Sequence, residues 1–115
     1  AHDVRFSPHV AAFFRGITLT AQLSFAAPVT QDALKALYQS AYGGEALIRL
    51  SDAIPEIRDG QDIPGAVVGG WSVGEGGRYA SVVCALDNLL KGAAVQAVQN
   101  LALAAGLEEL AGIVN

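Results

Sequence analysis

The sequence has no methionine, one cysteine and one tryptophan in 115 residues, and few cations: seven Lys and Arg against 11 Asp and Glu, a net charge of −4. Each scarcity excludes something. A single cysteine, Cys84, leaves no internal disulfide framework and no multi-cysteine metal site, which fits a reducing compartment. The acidic balance, with no cluster of Lys and Arg, argues against a binder of nucleic-acid backbones or of anionic membrane surfaces. No apolar run reaches the ~18 residues of a membrane span. The longest, Gly92 to Gly106, is interrupted by Gln96, Gln99 and Asn100. His2 and His9 lack the spacing and companions of a metal site. The opening Ala1-His2-Asp3-Val4-Arg5 is not a leader of the usual kind, and the expectation is a piece of something longer.

What is present is enough for one core. The chain is 52% hydrophobic and 16% charged, the balance of a folded domain. From Gly16 to Phe25 the residues alternate, with Ile17, Leu19, Ala21, Leu23 and Phe25 on one side, which predicts a strand with one buried face. Thr30 caps a predicted helix from Gln31, with Leu34, Leu37, Tyr38 and Ala41 at helical spacing and Gly43-Gly44 at its end. Ala46 to Leu50 is a short predicted strand. Ser51 to Gly65, with its prolines, glycines and acids, reads as an exposed connection. Ala66–Val73 and Tyr79–Leu86 read as strands joined across Gly74-Glu75-Gly76-Gly77. The second is apolar on both faces and so central, and Gly69-Gly70 in the first suggests a bulge or a close backbone approach. A helix is predicted from about Leu89 to Ala105, with Leu90, Ala94, Ala97, Leu101 and Ala104 as its apolar stripe and Gln96 and Gln99 away from it. The order β-α-β-β-β-α gives a single α+β domain, a mixed, mostly antiparallel sheet with helices on one face.

Two segments spend unusual residues. Arg15-Gly16-Ile17, after Phe6-Ser7-Pro8-His9, puts a forked planar donor at the entry of the first strand, suited to a carboxylate or phosphate. Read from the residues alone, Arg15 is more simply an exposed strand-end arginine and His9 a surface or boundary histidine. The other segment, Asp87-Asn88-Leu89-Leu90-Lys91-Gly92, sits where the central strand meets the last helix. Asp87 or Asn88 can cap that helix, but Lys91 sets a cation against the positive dipole end, and Gly92 costs roughly 1 kcal/mol relative to Ala. Two local preferences broken together mark a site or a tight approach, beside the plainer reading of a cap with a solvated lysine. Cys84, in Val-Val-Cys-Ala-Leu, reads as packing, and no dinucleotide glycine fingerprint is present.

Phe6-Ser7-Pro8-His9, Arg15-Gly16-Ile17, the run Asp87 to Asn100 and Gly106-Leu107-Glu108-Glu109 together resemble the N-acetyl-gamma-glutamyl-phosphate reductases, in order and over nearly the whole chain. The resemblance implies most of the substrate and oligomerisation domain, residues 1–115, of the glyceraldehyde-3-phosphate-dehydrogenase C-terminal type, without the N-terminal Rossmann domain. It implies an NADP-dependent, cytoplasmic enzyme of arginine biosynthesis that reduces N-acetylglutamyl 5-phosphate to the semialdehyde, and a homo-oligomer formed through the sheet. Arg15 and His9 would then bind substrate, and Asn88 and Lys91 would face the coenzyme. No catalytic residue carries over, because the family's nucleophile lies in a Gly-Cys-Tyr motif that this sequence lacks; the fragment alone is expected to be inactive. Ser7 replaces the commoner Thr, and Val95 stands where Gly or Ala is usual. The same domain of aspartate-semialdehyde dehydrogenase or of aminoadipyl-phosphate reductase, or a stand-alone interaction module without catalysis, are the alternatives.

Overall fold

The computed structural model describes residues 4–113, so His2 lies outside the described residues. The alternating segment forms β1 (Ile17–Ser24), followed by α1 (Gln31–Tyr42), β2 (Ile48–Ser51), a short α2 (Ile57–Gly60), β3 (Ala66–Val73) and β4 (Tyr79–Leu86). After β4 come a π-helical turn, Leu90–Ala94, and α3 (Val95–Ala104). The strands stand in the order β1-β4-β3-β2, with β4 antiparallel to both neighbours and β2 parallel to β3. The strand that is apolar on both faces is therefore central, as its sequence requires.

The core lies between α1 and one face of the sheet. Thr30 Oγ1 accepts from the Ala33 N–H at 3.1 Å, which fixes the start of α1. From there Leu34, 2% exposed, reaches Trp71, Ala80 and Val82, with Leu23, Phe25, Tyr38, Leu50, Val68 and Val73 packed around them. Trp71 reaches this face through a β-bulge. Between the pairs Gly69–Val83 and Ser72–Ser81, Gly70 and Trp71 oppose Val82 alone, so the indole turns inward to lie 4.8 Å from the Tyr38 ring.

Ser51 to Gly65 is not the exposed connection its composition suggests. It carries α2, and Pro55 and Gly60 are buried. The register makes β1, β2 and β3 mutually parallel. Right-handed crossovers that run first from β1 to β2 and then back to β3 must pass over opposite faces. So α2 covers the face opposite α1, over Ala85 and Val67, which are fully shielded. Gly60 makes this possible: a Cβ there would come within 2.7 Å of the Ala85 and Leu86 backbone.

The last helix also differs from its sequence reading. Ala94, Ala97, Leu101 and Ala104 face solvent, with Leu101 68% exposed, while Val95, Gln99 and Ala102 are buried. The cause is the π turn, in which the N–H groups of Gly92, Ala94 and Val95 bond the carbonyls five residues back, of Asp87, Leu89 and Leu90. One extra residue in a turn rotates all that follows by about 100°. The buried set moves by one residue, from 94 and 101 to 95 and 102. Gln99, expected on the outer side, is carried inward with it.

Candidate functional site

The pairing of Ile17 with Leu86 sets the residues just before β1 beside those just after β4. Arg15-Gly16 and Asp87-Asn88 thus meet by topology, and the crossover through α2 delivers Gln61-Asp62 to the same corner. Asp87 is the hub. Its carboxylate, 0% exposed, accepts at Oδ1 from the N–H groups of Leu89 (2.8 Å) and Leu90 (3.0 Å), capping the last helix. At Oδ2 it accepts from the Asp62 N–H at 2.9 Å and lies 2.6 Å from Arg15 Nε, an ion pair too bent to be a straight hydrogen bond. Burial pushes the Asp87 carboxyl up, but the three backbone donors and the Arg15 guanidinium outweigh it and hold the carboxyl at about 2.

Arg15 is itself clasped. Its Nη1 donates to Asp62 Oδ1 at 2.7 Å, and its backbone carbonyl accepts from Gln61 Nε2 at 2.6 Å. Asp62, whose carboxylate is 79% exposed, holds a left-handed backbone with φ 59°, uncommon outside glycine and kept here by its N–H bond to Asp87. Gly16, at φ 109°, packs on Ile57 and donates its N–H to Asn88 Oδ1 at 2.8 Å. Asn88 therefore uses its oxygen internally, and its NH₂ is the end left to donate to a ligand.

A second polar group lies along the last helix. Lys91 Nζ donates to Gln99 Oε1 at 2.6 Å, and Gln99 Nε2 donates to Glu109 Oε1 at 2.5 Å. The three side chains line a cavity of about 320 Å³, with Tyr42, Glu45 and Leu103 among its walls. Among the described residues, no helix is long and apolar enough to cross a membrane.

The family described as semialdehyde dehydrogenase, dimerisation domain, matches residues 1–88. The chain belongs to that dimerisation-domain family. Its relatives include the N-acetyl-gamma-glutamyl-phosphate reductase of Stenotrophomonas maltophilia, 49% identical over 96% of this chain and 35% of that protein. The same-named protein of Xanthomonas campestris is 46% identical over 96% of this chain and 35% of its own length. The "Bifunctional protein argC, mitochondrial" of Dictyostelium discoideum is 43% identical over 97% of this chain and 13% of its own. The chain thus spans about a third of the bacterial relatives. Aspartate semialdehyde dehydrogenase II of Vibrio cholerae, at 22% identity, superposes with a TM-score of 0.62 over 79% of this chain and 28% of that one, which shows the fold. These relatives bear the names of oxidoreductases, and the α+β fold is that of their dimerisation domain.

Within this dimerisation domain, Arg15 and Asn88 fall in one corner, tied through Asp87 and Gly16. Lys91 shares the turn after Asp87 but points back along the helix to Gln99. His9 stands on the exposed segment before Arg15 and makes no hydrogen bond to the corner. Cys84 is half-buried on β4 between Leu19 and Val68, and burial pushes its thiol up, away from the thiolate form a nucleophile needs. Gln61 and Asp62 were not expected. Their signal was present only as polar residues inside a segment that reads as a loop, and nothing local shows that a crossover returns them to Asp87.

Proposed function

We propose that residues 1–115 form the substrate-binding and oligomerisation domain of an NADP-dependent reductase that converts N-acetylglutamyl 5-phosphate to N-acetylglutamate 5-semialdehyde. The observation that carries this reading is the Asp87 corner. One buried carboxylate orients an arginine and caps the last helix beside Asn88, while Lys91, in the turn that follows, is held back along the helix by Gln99. Arg15 binds the anionic end of the substrate. Asp87 fixes the guanidinium, and the solvent-facing Asp62 is an exchangeable partner whose place a substrate carboxylate takes. His9 supplies a second donor from the segment leading into Arg15.

The donor set fits the coenzyme: Asn88 has an amide NH₂ for a carboxamide oxygen, and Lys91 an ammonium for a phosphate. When bound, the coenzyme supplies hydride, and its main holding site belongs to a Rossmann domain outside these residues. The acyl phosphate is opened by a thiolate from outside these residues, with phosphate leaving and the thioester reduced to the aldehyde. This chain's part is to bind and orient, and Cys84, half-buried on a strand with its thiol pushed up by desolvation, takes no share in the chemistry. Subunits pair through the sheet, in the cytoplasm or an equivalent reducing compartment. Sedimentation of the chain at high concentration is expected to show a homo-oligomer, and a clean monomer would contradict the pairing.

The test of the whole is NADPH oxidation by the full-length polypeptide with three acyl phosphates. N-Acetylglutamyl phosphate is the expected substrate; preference for aspartyl or aminoadipyl phosphate gives the function to those relatives, and no turnover with any of them leaves a binding module. The isolated 115-residue chain is expected to be inert, and reductase turnover by it would overturn the assignment of roles.

A further inference from the structure

We propose that Gln99, anchored by Glu109, is a positioning residue that holds the Lys91 ammonium ordered and un-neutralised for a phosphate-bearing ligand. The inference rests on the reading of Lys91 given above and adds two residues to it. A carboxylate can only accept and an ammonium can only donate, so a carboxamide between them has one orientation. Its NH₂ faces Glu109 and its oxygen faces Lys91, as the distances of 2.5 and 2.6 Å require. Glu109 therefore sets the Gln99 amide, and the amide sets Lys91.

The arrangement differs from the ion pairs of Lys35 and Arg15, and from Arg78 and Arg49, which donate to backbone carbonyls, in that a side-chain amide is the acceptor. Lys35 sits on Asp52 at 2.6 Å and Arg15 on Asp62 and Asp87, so carboxylates cancel their charges directly. Lys91 is held directly by a neutral group, with the Glu109 carboxylate one carboxamide further out and Glu45 elsewhere on the cavity wall, so its side chain is restricted without a direct ion pair that an incoming anion would have to displace. Gln99 is only 8% exposed, on a helix whose Ala97 and Leu101 are left in water. Burying a carboxamide in their place is unfavourable unless both ends are bonded, and here both are. The π turn that carries Lys91 is also what rotates Gln99 inward, so one local irregularity builds both halves of the device.

The test is a double-mutant cycle in the full-length reductase polypeptide, reading kcat and the KM values for NADPH and for the acyl phosphate. Lys91→Ala is expected to raise one of the two KM values, and the one that moves tells whether the phosphate belongs to coenzyme or substrate. Gln99→Leu is expected to raise that same KM about tenfold with kcat little changed, and to add nothing in the Lys91→Ala background. Glu109→Leu, which removes only the outer anchor, is expected to raise it about threefold, again only while Lys91 is present, and serves if Gln99→Leu fails to fold. A Gln99 or Glu109 effect that persists without Lys91, or no KM effect of either, overturns the positioning role while the reading of Lys91 stands. If Lys91→Ala leaves both KM values unchanged, the reading of Lys91 fails and the positioning role falls with it.

Discussion

Replacing Asp87 by Asn keeps the side chain's shape and removes its charge. The cap survives, because an amide oxygen can still accept from Leu89 and Leu90, and Asn caps helices as well as Asp does. The other end becomes an NH₂ facing the Asp62 N–H, which loses its hydrogen bond of 2.9 Å, and the Arg15 guanidinium, which loses its ion pair of 2.6 Å. An unserved buried donor costs about 1–3 kcal/mol, more where a charge is involved, so a loss of about 2–4 kcal/mol follows. For a domain of this size that is a fall in Tm on the order of 10 °C. The pH dependence has a definite sign. The folded-state carboxyl, at about 2, lies below its ordinary 3.8, so the charged form stabilises the fold above pH 4 and that contribution is lost as pH falls through about 2. Urea unfolding followed by the fluorescence of buried Trp71 should show Asp87→Asn well below wild type at pH 7, with the gap closing as pH approaches 2. A variant within about 0.5 kcal/mol of wild type at pH 7, or a gap independent of pH, would refute the reasoning.

Other expectations follow from particular contacts. Gly60→Ala places a Cβ against the Ala85–Leu86 backbone and should lower stability by about 2 kcal/mol or more in the same unfolding experiment, although Ala is the better helix former. The phase shift at the π turn makes Leu101→Gln nearly neutral, within about 0.5 kcal/mol, while Ala102→Leu overpacks a 3% exposed site and should cost about 1–3 kcal/mol; equal effects would deny the shift. Alkylation of Cys84 in the native chain should be slower at pH 8 than that of an unfolded control and should accelerate only at higher pH, since burial raises its pKa.

Much of the fold was legible because its signals are local. The alternation from Ile17 to Phe25, the Thr30 cap and the two-sided apolar run of β4 each decide one element with little help from elsewhere. What was missed depends on contacts distant in sequence or on a change of helical winding. Ser51 to Gly65 looks like solvent-facing loop because Gly60 and Pro55 read as breakers; Gly60 is instead the residue small enough to meet the sheet backbone. The apolar stripe on the last helix presumes an unbroken 3.6-residue period, which the five-residue step at Leu90–Ala94 does not keep. In the candidate site, Arg15 and Asn88 stood out from their motifs. Asp62, Gln99 and Glu109 did not, since each matters only through a partner that the fold brings to it.

The proposed function depends above all on Arg15 binding the anionic substrate at the Asp87 corner. It is tested most directly by Arg15→Lys in the full-length polypeptide, since lysine keeps the charge but loses the fork that joins Asp87, Asp62 and a ligand. The expected result is a rise of about tenfold or more in KM for N-acetylglutamyl phosphate, with KM for NADPH unchanged. An unchanged substrate KM, or an equal rise in both, would contradict it.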